Sequence, residues 1–577
     1  MSRFFAALLI FVILAIHAGA QTQTTPASGL GPILQYIHVG WDVLTRSMSD
    51  CASIVDPKMK VKPVLYLPAG LAVPASVEKL GHDCNVDVEH LPKAIHGLGE
   101  IDSSEIRAQG LLYLPNNYVV PGGRFNEMYG WDSYFITLGL LRDHRTELAR
   151  GMVENFFFEI ENYGALLNAN RTYYLTRSQP PLLSSMVLAV YEAEKQAGKS
   201  DQSLLERSYP YLEKDYSMWI RDPHLAASTG LARYFDFGEG PAPESLQDEA
   251  GSYRKVISYF IAHPEQADHY LVQQAWVQQA NDDNDNHNGK APTAPGASYA
   301  ITICDVATAV GADQAKPECE PERVIRLSAD YYKGDRSMRE SGFDISFRFG
   351  AYGSATHHYA PICLNSLLYK TEKDMEQISK LLGKSNEAIK WRERAKARQK
   401  SIQQYLWSSS RGLFVDYDLL AGKQSTYSYL TTYYPLWSGL ATVEQAEALA
   451  KNLPEFEQAG GLAMSSEQSG AQWDYPYGWA PVQLLAIEGL RRYGYNREAD
   501  RLSIKFLSTV LKNFERDGTI REKYNVVTGS SESQVDVGYQ ANVVGFGWTN
   551  AAFLELLHAL PEQAVENIEK GISSQSR

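Results

Sequence analysis

Cysteine is scarce: five occur in 577 residues, too few for a scaffold held together by disulfides. No CxxC or HExxH spacing occurs, so the sequence gives no support for a metal site. After the N-terminus no apolar run approaches the roughly 20 residues that a membrane span needs. Basic residues are in deficit, 54 Lys plus Arg against 68 Asp plus Glu, for a net charge of −14. That argues against a nucleic-acid partner, because phosphate contacts need clustered cations. Glycine (43) and proline (26) are too few for a collagenous or low-complexity chain. What remains is 44% hydrophobic and 11% aromatic, a globular composition.

Residues 1–20 read as a cleavable signal peptide. Arg3 is a minimal positive start, residues 4–16 are apolar, and Ala18-Gly19-Ala20 resembles a cleavage site. The expectation is a periplasmic or secreted protein, free of the membrane after cleavage. Residues 21–31 read as a flexible leader, and 32–577 as one catalytic domain. For an exported chain the local disulfide pairings are Cys51–Cys84 and Cys304–Cys319, leaving Cys363 free in an apolar stretch.

Alternating β patterns are few and helical spacing dominates. Leu138, Leu141, Leu148, Met152 and Phe156 recur at helical steps. So do Leu484, Ile487 and Leu490, and Leu502, Phe506, Val510 and Phe514. Several helices end at a glycine, as at Gly494 and Gly518. The prediction is helical hairpins with functional residues on the connecting loops. Residues 279–320, with an Asn/Asp-rich run, read as a surface insertion. An EF-hand does not fit, since the turn Gly and the terminal Glu are out of register.

Three loops mix aromatic and charged residues, as a sugar site requires: rings stack on the apolar face of a pyranose, and Asp and Arg hold its hydroxyls. The first is Pro121-Gly122-Gly123-Arg124-Phe125-Asn126-Glu127-Met128-Tyr129-Gly130-Trp131-Asp132. The second is Asn168-Ala169-Asn170-Arg171, running on to Arg177-Ser178-Gln179-Pro180-Pro181. Its Asn170-Arg171-Thr172 is formally a glycosylation sequon. The third is Gln472-Trp473-Asp474, followed by Gly478-Trp479-Ala480-Pro481. Two carboxylates stand in mixed apolar and basic contexts, Asp344 and Glu522. Ordinary salt bridges to Arg348 and Lys523 are the competing reading of both.

The first and third segments resemble the two signatures of the trehalase family of inverting glycoside hydrolases. Arg177-Ser178-Gln179-Pro180-Pro181, Glu522-Lys523-Tyr524 and Gly545-Phe546-Gly547-Trp548-Thr549-Asn550 are similar to further blocks, in the family's order. The resemblance implies an all-α fold, an (α/α)6 toroid with an N-terminal extension. It implies cleavage of the disaccharide α,α-trehalose to two glucose molecules, with no cofactor. Asp344 corresponds to the general acid and Glu522 to the general base. Arg124, Trp131, Asp132, Asn168, Arg177, Ser178, Gln179, Gly342 and Trp473 fall at sugar-binding positions. Glu244 falls in a less secure block with Pro243.

The chain departs from the pattern at three points. Ala242 stands where the family has arginine, Phe343 replaces a tryptophan, and Val537-Gly538-Tyr539-Gln540 replaces a Gly-rich segment with a Glu. A replacement cation is sought in Lys290, Arg323 and Arg326. Two alternatives follow, an inverting hydrolase of another α-glucoside and a sugar-binding protein without turnover.

Overall fold

The Gly130–Arg142 helix is buried on nearly every side, from Gly130 through Thr137 and again at Gly139 and Leu140. A helix apolar all round belongs inside a fold. The helix that follows, Thr146–Asn162, buries chiefly one stripe, with Ala149, Met152, Val153, Phe156 and Ile160 on it. That alternation of inner and outer helix repeats along the chain.

The computed structural model describes residues 29–55, 62–101, 105–199, 201–244, 250–267, 269–275, 301–302 and 323–575. Its inner helices are Gly130–Arg142, Leu183–Gln196, Ile362–Leu381, Tyr434–Ser438, Ala480–Arg492 and Gly547–His558. Each packs on the next, and the last packs back on the first, which closes the ring. Each inner helix is followed by an outer one: Thr146–Asn162, Ser203–Trp219, Ser385–Tyr405, Val443–Lys451, Asn496–Asp517 and Glu562–Gln575. This is the expected all-α (α/α)6 toroid. The first and last inner helices approach closely at Gly139, where an added Cβ would lie 2.8 Å from both Ala551 Cβ and the Trp41 ring.

Two expectations are refined. The periodic run from Leu138 to Phe156 is two helices, broken by a turn in which His144 adopts a left-handed φ of 59°. The helix predicted through Leu502, Phe506, Val510 and Phe514 begins earlier, running over Asn496–Asp517, and ends on left-handed Gly518 as expected. The N-terminal extension contributes the Gly31–Leu44 helix, which packs on Gly547–His558. It also holds a small parallel sheet, in which Val64–Leu67 lies between Asp87–His90 and Leu111–Leu112.

Cys51 and Cys84 form a disulfide, and Cys363 is a buried free thiol. Leu271–Ala275 pairs antiparallel with Arg323–Leu327, with Ala275 opposite Arg323. The chain on either side of residues 276–322 therefore lies side by side. Of residues 279–320 only Ile301–Thr302 is described, paired to Val324 and Ile325. Lys290, Cys304, Cys319 and the Asn/Asp run lie outside the described residues. No described helix is long and apolar enough to cross a membrane.

Candidate active site

The loops that join the inner helices at one mouth of the ring enclose a cavity of about 670 Å³. Its shape follows from local backbone chemistry. Gly130 N–H donates to the Asn168 carbonyl at 3.1 Å, and Asn168 N–H to the Arg177 carbonyl at 2.9 Å. Trp131 N–H, in the first turn of its helix, donates to Gln179 Oε1 at 2.9 Å. The first two aromatic and charged loops are thereby laced together. On the far side, Trp479 Nε1 donates to the Gln472 carbonyl at 2.8 Å, and the Trp473 and Trp479 rings stack 3.8 Å apart. Trp131, Trp473 and Trp548 build an aromatic wall, with ring centroids 5.8 to 6.2 Å apart.

Arg124, Trp131, Asp132, Asn168, Arg177, Gln179, Glu244, Gly342, Asp344, Trp473 and Glu522 all line this cavity. Gly342 has a φ of +76°, and an added Cβ would lie 2.9 Å from the Trp131 ring, so a glycine is required there. Ser178 is the exception. It is buried behind the wall, where its N–H donates to Glu340 Oε1 at 3.3 Å and its hydroxyl to the Leu166 carbonyl at 2.7 Å. Its work is to fix the backbone between Arg177 and Gln179. The sequon at Asn170 is buried too, with its side chain bonded to Met128 N–H and the Leu112 carbonyl.

Arg348 and Lys523, the bases of the competing reading, hydrogen-bond to other partners. Arg348 holds Asp416 through Nε at 2.7 Å and Nη2 at 2.6 Å. Lys523 Nζ donates to Gln472 Oε1 at 2.9 Å and to the Tyr539 carbonyl at 3.3 Å. The Asp344 carbonyl accepts from Gln472 Nε2 at 2.6 Å. Gln472 thus connects the Asp344 backbone to the lysine beside Glu522. Behind Asp344, buried Asp474 accepts from Ser346 Oγ at 2.7 Å and Phe347 N–H at 2.9 Å.

Glu522 is 2% exposed. Its Oε1 accepts from the Tyr539 hydroxyl at 2.6 Å. Its Oε2 is buried and engaged by no protein donor among the described residues. Burial raises the Glu522 carboxyl above the usual range, and Lys523 and the Tyr539 hydroxyl pull it back only in part. Burial lowers the Lys523 ammonium to about 8, against the opposing pull of Glu522 and Asp344. Burial, and then the Glu522 charge, push the Tyr539 hydroxyl far up. It keeps its proton and donates a hydrogen bond to Glu522. Asp132 is also raised, by burial first and then by the charges of Glu522 and Asp344.

At the other end of the cavity Arg177 pairs with Glu244 and, at 3.3 Å, with Asp236. Burial opposes the charge on Glu244, but Arg177 and Arg339 outweigh it and hold its carboxyl low. Arg177 Nε and Glu244 Oε2 are buried without protein partners among the described residues. Such orphaned polar atoms facing a polar cavity call for a ligand.

The departures now have places. Phe343 does not line the cavity; it packs edge-on beneath Trp131 and Trp473, at 5.6 and 5.2 Å. Tyr539 lies directly on Glu522. Ala242 is buried, and its N–H donates to the Tyr253 hydroxyl at 3.1 Å. Of the three candidates for a replacement cation, only the Arg326 side chain is described. Arg326 does not line the cavity, and the Arg323 side chain and Lys290 lie outside the described residues. Besides Arg124, Arg171 and Arg177, Arg339 lines it, in the last turn of the Ala329–Glu340 helix. Tyr253 OH donates to Asp335 at 2.8 Å, and Asp335 accepts Arg339 Nε at 3.2 Å. The chain of contacts from Ala242 thus ends on the arginine that sequence reading missed.

A sequence model of the family described as Trehalase matches residues 74–288 and 265–561. The chain is 34% identical to a probable trehalase of Eremothecium gossypii, over 92% of this chain and 73% of that one. It is 36% identical to a cytosolic neutral trehalase of Saccharomyces cerevisiae, over 81% of this chain and 62% of the relative. A cytosolic neutral trehalase of Emericella nidulans is 35% identical, over 79% and 61%. Among solved structures, neutral trehalase Nth1 from Saccharomyces cerevisiae superposes with a TM-score of 0.72 at 31% identity, covering 94% of this chain and 96% of that one. The word cytosolic in these names overturns the expected periplasmic or secreted location. Residues 1–20, read as a signal peptide, lie outside the described residues.

Proposed function

Because the chain belongs to the trehalase family and is a glycoside hydrolase of the α,α-trehalase kind, we propose that it cleaves α,α-trehalose by an inverting mechanism, with Asp344 as general acid and Glu522 as general base. The observation that carries the reading is Glu522. One oxygen is fixed by Tyr539, and the other is buried, without a protein partner among the described residues, on a residue that lines the same cavity as Asp344. That free oxygen suits a base that must accept a proton from water.

The steps follow from these groups. Asp344, protonated, donates to the oxygen between the two sugars as the C–O bond breaks. Glu522, ionised, takes a proton from a water that attacks the anomeric carbon from the opposite ring face. The water adds hydroxyl to one glucose, the acid's proton completes the other, and the base's proton returns the pair to its starting state. Inversion needs the two carboxyls about 6.5–9.5 Å apart, to admit the water. A cavity of about 670 Å³ lies within the usual range for small-ligand sites. The Trp131, Trp473 and Trp548 wall offers stacking faces. Arg177, Glu244 and Arg339 supply charged partners for hydroxyls at the other end. Arg339 meets the need that Ala242 leaves open, which favours trehalose over the alternative α-glucosides. We further propose that residues 32–577 act as one catalytic domain.

Asp344→Asn and Glu522→Gln test the assignment. Each should lower kcat by about 10²–10⁴, the usual worth of an acid or base, while trehalose binding by calorimetry persists. Full activity in either variant sinks the role of that residue. Sugar binding without turnover in the parent protein would favour a binding protein.

A further inference from the structure

Outside the cavity, the loop between Asp344 and the Ile362–Leu381 helix carries two consecutive imidazoles. Thr356–His358 is a single 3-10 turn that brings the His357 and His358 rings to 3.7 Å between centroids. Both Nε2 atoms meet Asp330 Oδ1, at 3.0 Å and 3.2 Å, and His358 Nε2 is also 3.4 Å from Oδ2. Asp330 sits in the first turn of the Ala329–Glu340 helix. The two imidazoles are 5% and 18% exposed, and the Asp330 side chain is 39% exposed. One ligand atom from each of the three residues lies within 4.8 Å of the others.

We propose that Asp330, His357 and His358 form a binding site for a borderline divalent cation such as Zn²⁺, on the outside of the catalytic cavity. The distances fit. With Zn–N and Zn–O bonds of about 2.0–2.2 Å, tetrahedral ligand atoms stand roughly 3.3–3.5 Å apart. The observed 3.0 and 3.2 Å need only a small outward shift. Two nitrogens and one carboxylate suit Zn²⁺ and its neighbours, whereas Ca²⁺ and Mg²⁺ require oxygen-rich sites. Exposed Asp330 gives an entry path and leaves a fourth position open to water.

The charges around the cluster permit this. Arg233 Nη1 donates to the His357 carbonyl at 3.2 Å and so is held on the backbone of the turn. Asp418, on the strand paired with Tyr359–Ala360, spends Oδ1 on the N–H groups of Leu420 and Ala421. The cation would neutralise Asp330 and tie the 3-10 turn to the start of the helix. The other end of that helix carries Arg339 and leads to Gly342 and Asp344. A bound metal therefore stabilises the frame of the site without touching its chemistry. None of the three ligands has the sequence spacing of a known metal motif, because Asp330 and the histidines meet only in the fold.

The test uses the full chain, stripped by chelator and dialysed. Cobalt(II) is added as a spectroscopic probe, and Zn²⁺ is then titrated by calorimetry. One equivalent should bind, with visible Co²⁺ bands that Zn²⁺ abolishes, and the Tm should rise with Zn²⁺ but not with Ca²⁺ or Mg²⁺. Asp330→Asn and the His357→Gln, His358→Gln pair should each weaken binding by roughly tenfold or more, with circular dichroism unchanged. His358→Gln alone, at the more exposed ring, serves if the double variant does not fold. No binding, or equal binding in the folded variants, overturns the proposal.

Discussion

At the residue scale the site turns on how Glu522 is kept ready. Burial raises its carboxyl, and the hydrogen bond from Tyr539 acts against that by favouring the ionised form. Removing the hydroxyl should therefore raise the pKa further. In Tyr539→Phe the acid limb of the kcat/KM profile should move to higher pH, and the loss of rate should be greatest below neutrality and recover as pH rises. A parallel fall at every pH would mean that Tyr539 positions the carboxylate without tuning it. Most of the cavity was legible in the sequence, because Arg124, Trp131, Asp132, Asn168, Arg177, Gln179 and Trp473 sit in segments that crowd charge against aromatics. Ser178 was placed at the site by the family resemblance, and the backbone turns its hydroxyl inward to Leu166. Arg339 was missed because it ends a helix rich in charged residues, and its link to Ala242 runs through Tyr253 and Asp335, both distant in sequence.

At the element scale, the inner helices must approach closely to hold the loops around the cavity. Gly139 is where the Gly130–Arg142 helix meets both Gly547–His558 and Trp41. A larger side chain there cannot fit without parting the first and last members of the ring. Gly139→Val should cost on the order of 1–3 kcal/mol, as overpacked cores do. The urea midpoint should fall, and activity should fall with it under mild denaturing conditions. An unchanged midpoint would show that the ring gives way there freely. Helical periodicity identified the Gly130–Arg142 helix and its successor, but not the break between Leu141 and Leu148. Apolar positions on two successive helices can keep a common step across a short turn, and only the backbone at His144 reveals it.

At the scale of the whole molecule, the ring brings together carboxylates that the chain keeps far apart. Asp344 follows the Ala329–Glu340 helix, and Glu522 follows the Asn496–Asp517 helix, yet both line one cavity. Closure of the toroid was not readable from periodicity, which gives each helix its buried face but not its partner. It came into view through the resemblance of ordered motifs. The location came out wrong for a related reason: an apolar leader reads the same by composition whatever the relatives' names say. The central claim is that Asp344 and Glu522 act from opposite faces of the sugar with a water between them. Proton NMR of the anomeric signals, taken in the first moments of trehalose hydrolysis, tests it most directly. The account predicts one α- and one β-glucose released together, before mutarotation mixes them. Two α-glucose molecules at early times would contradict it.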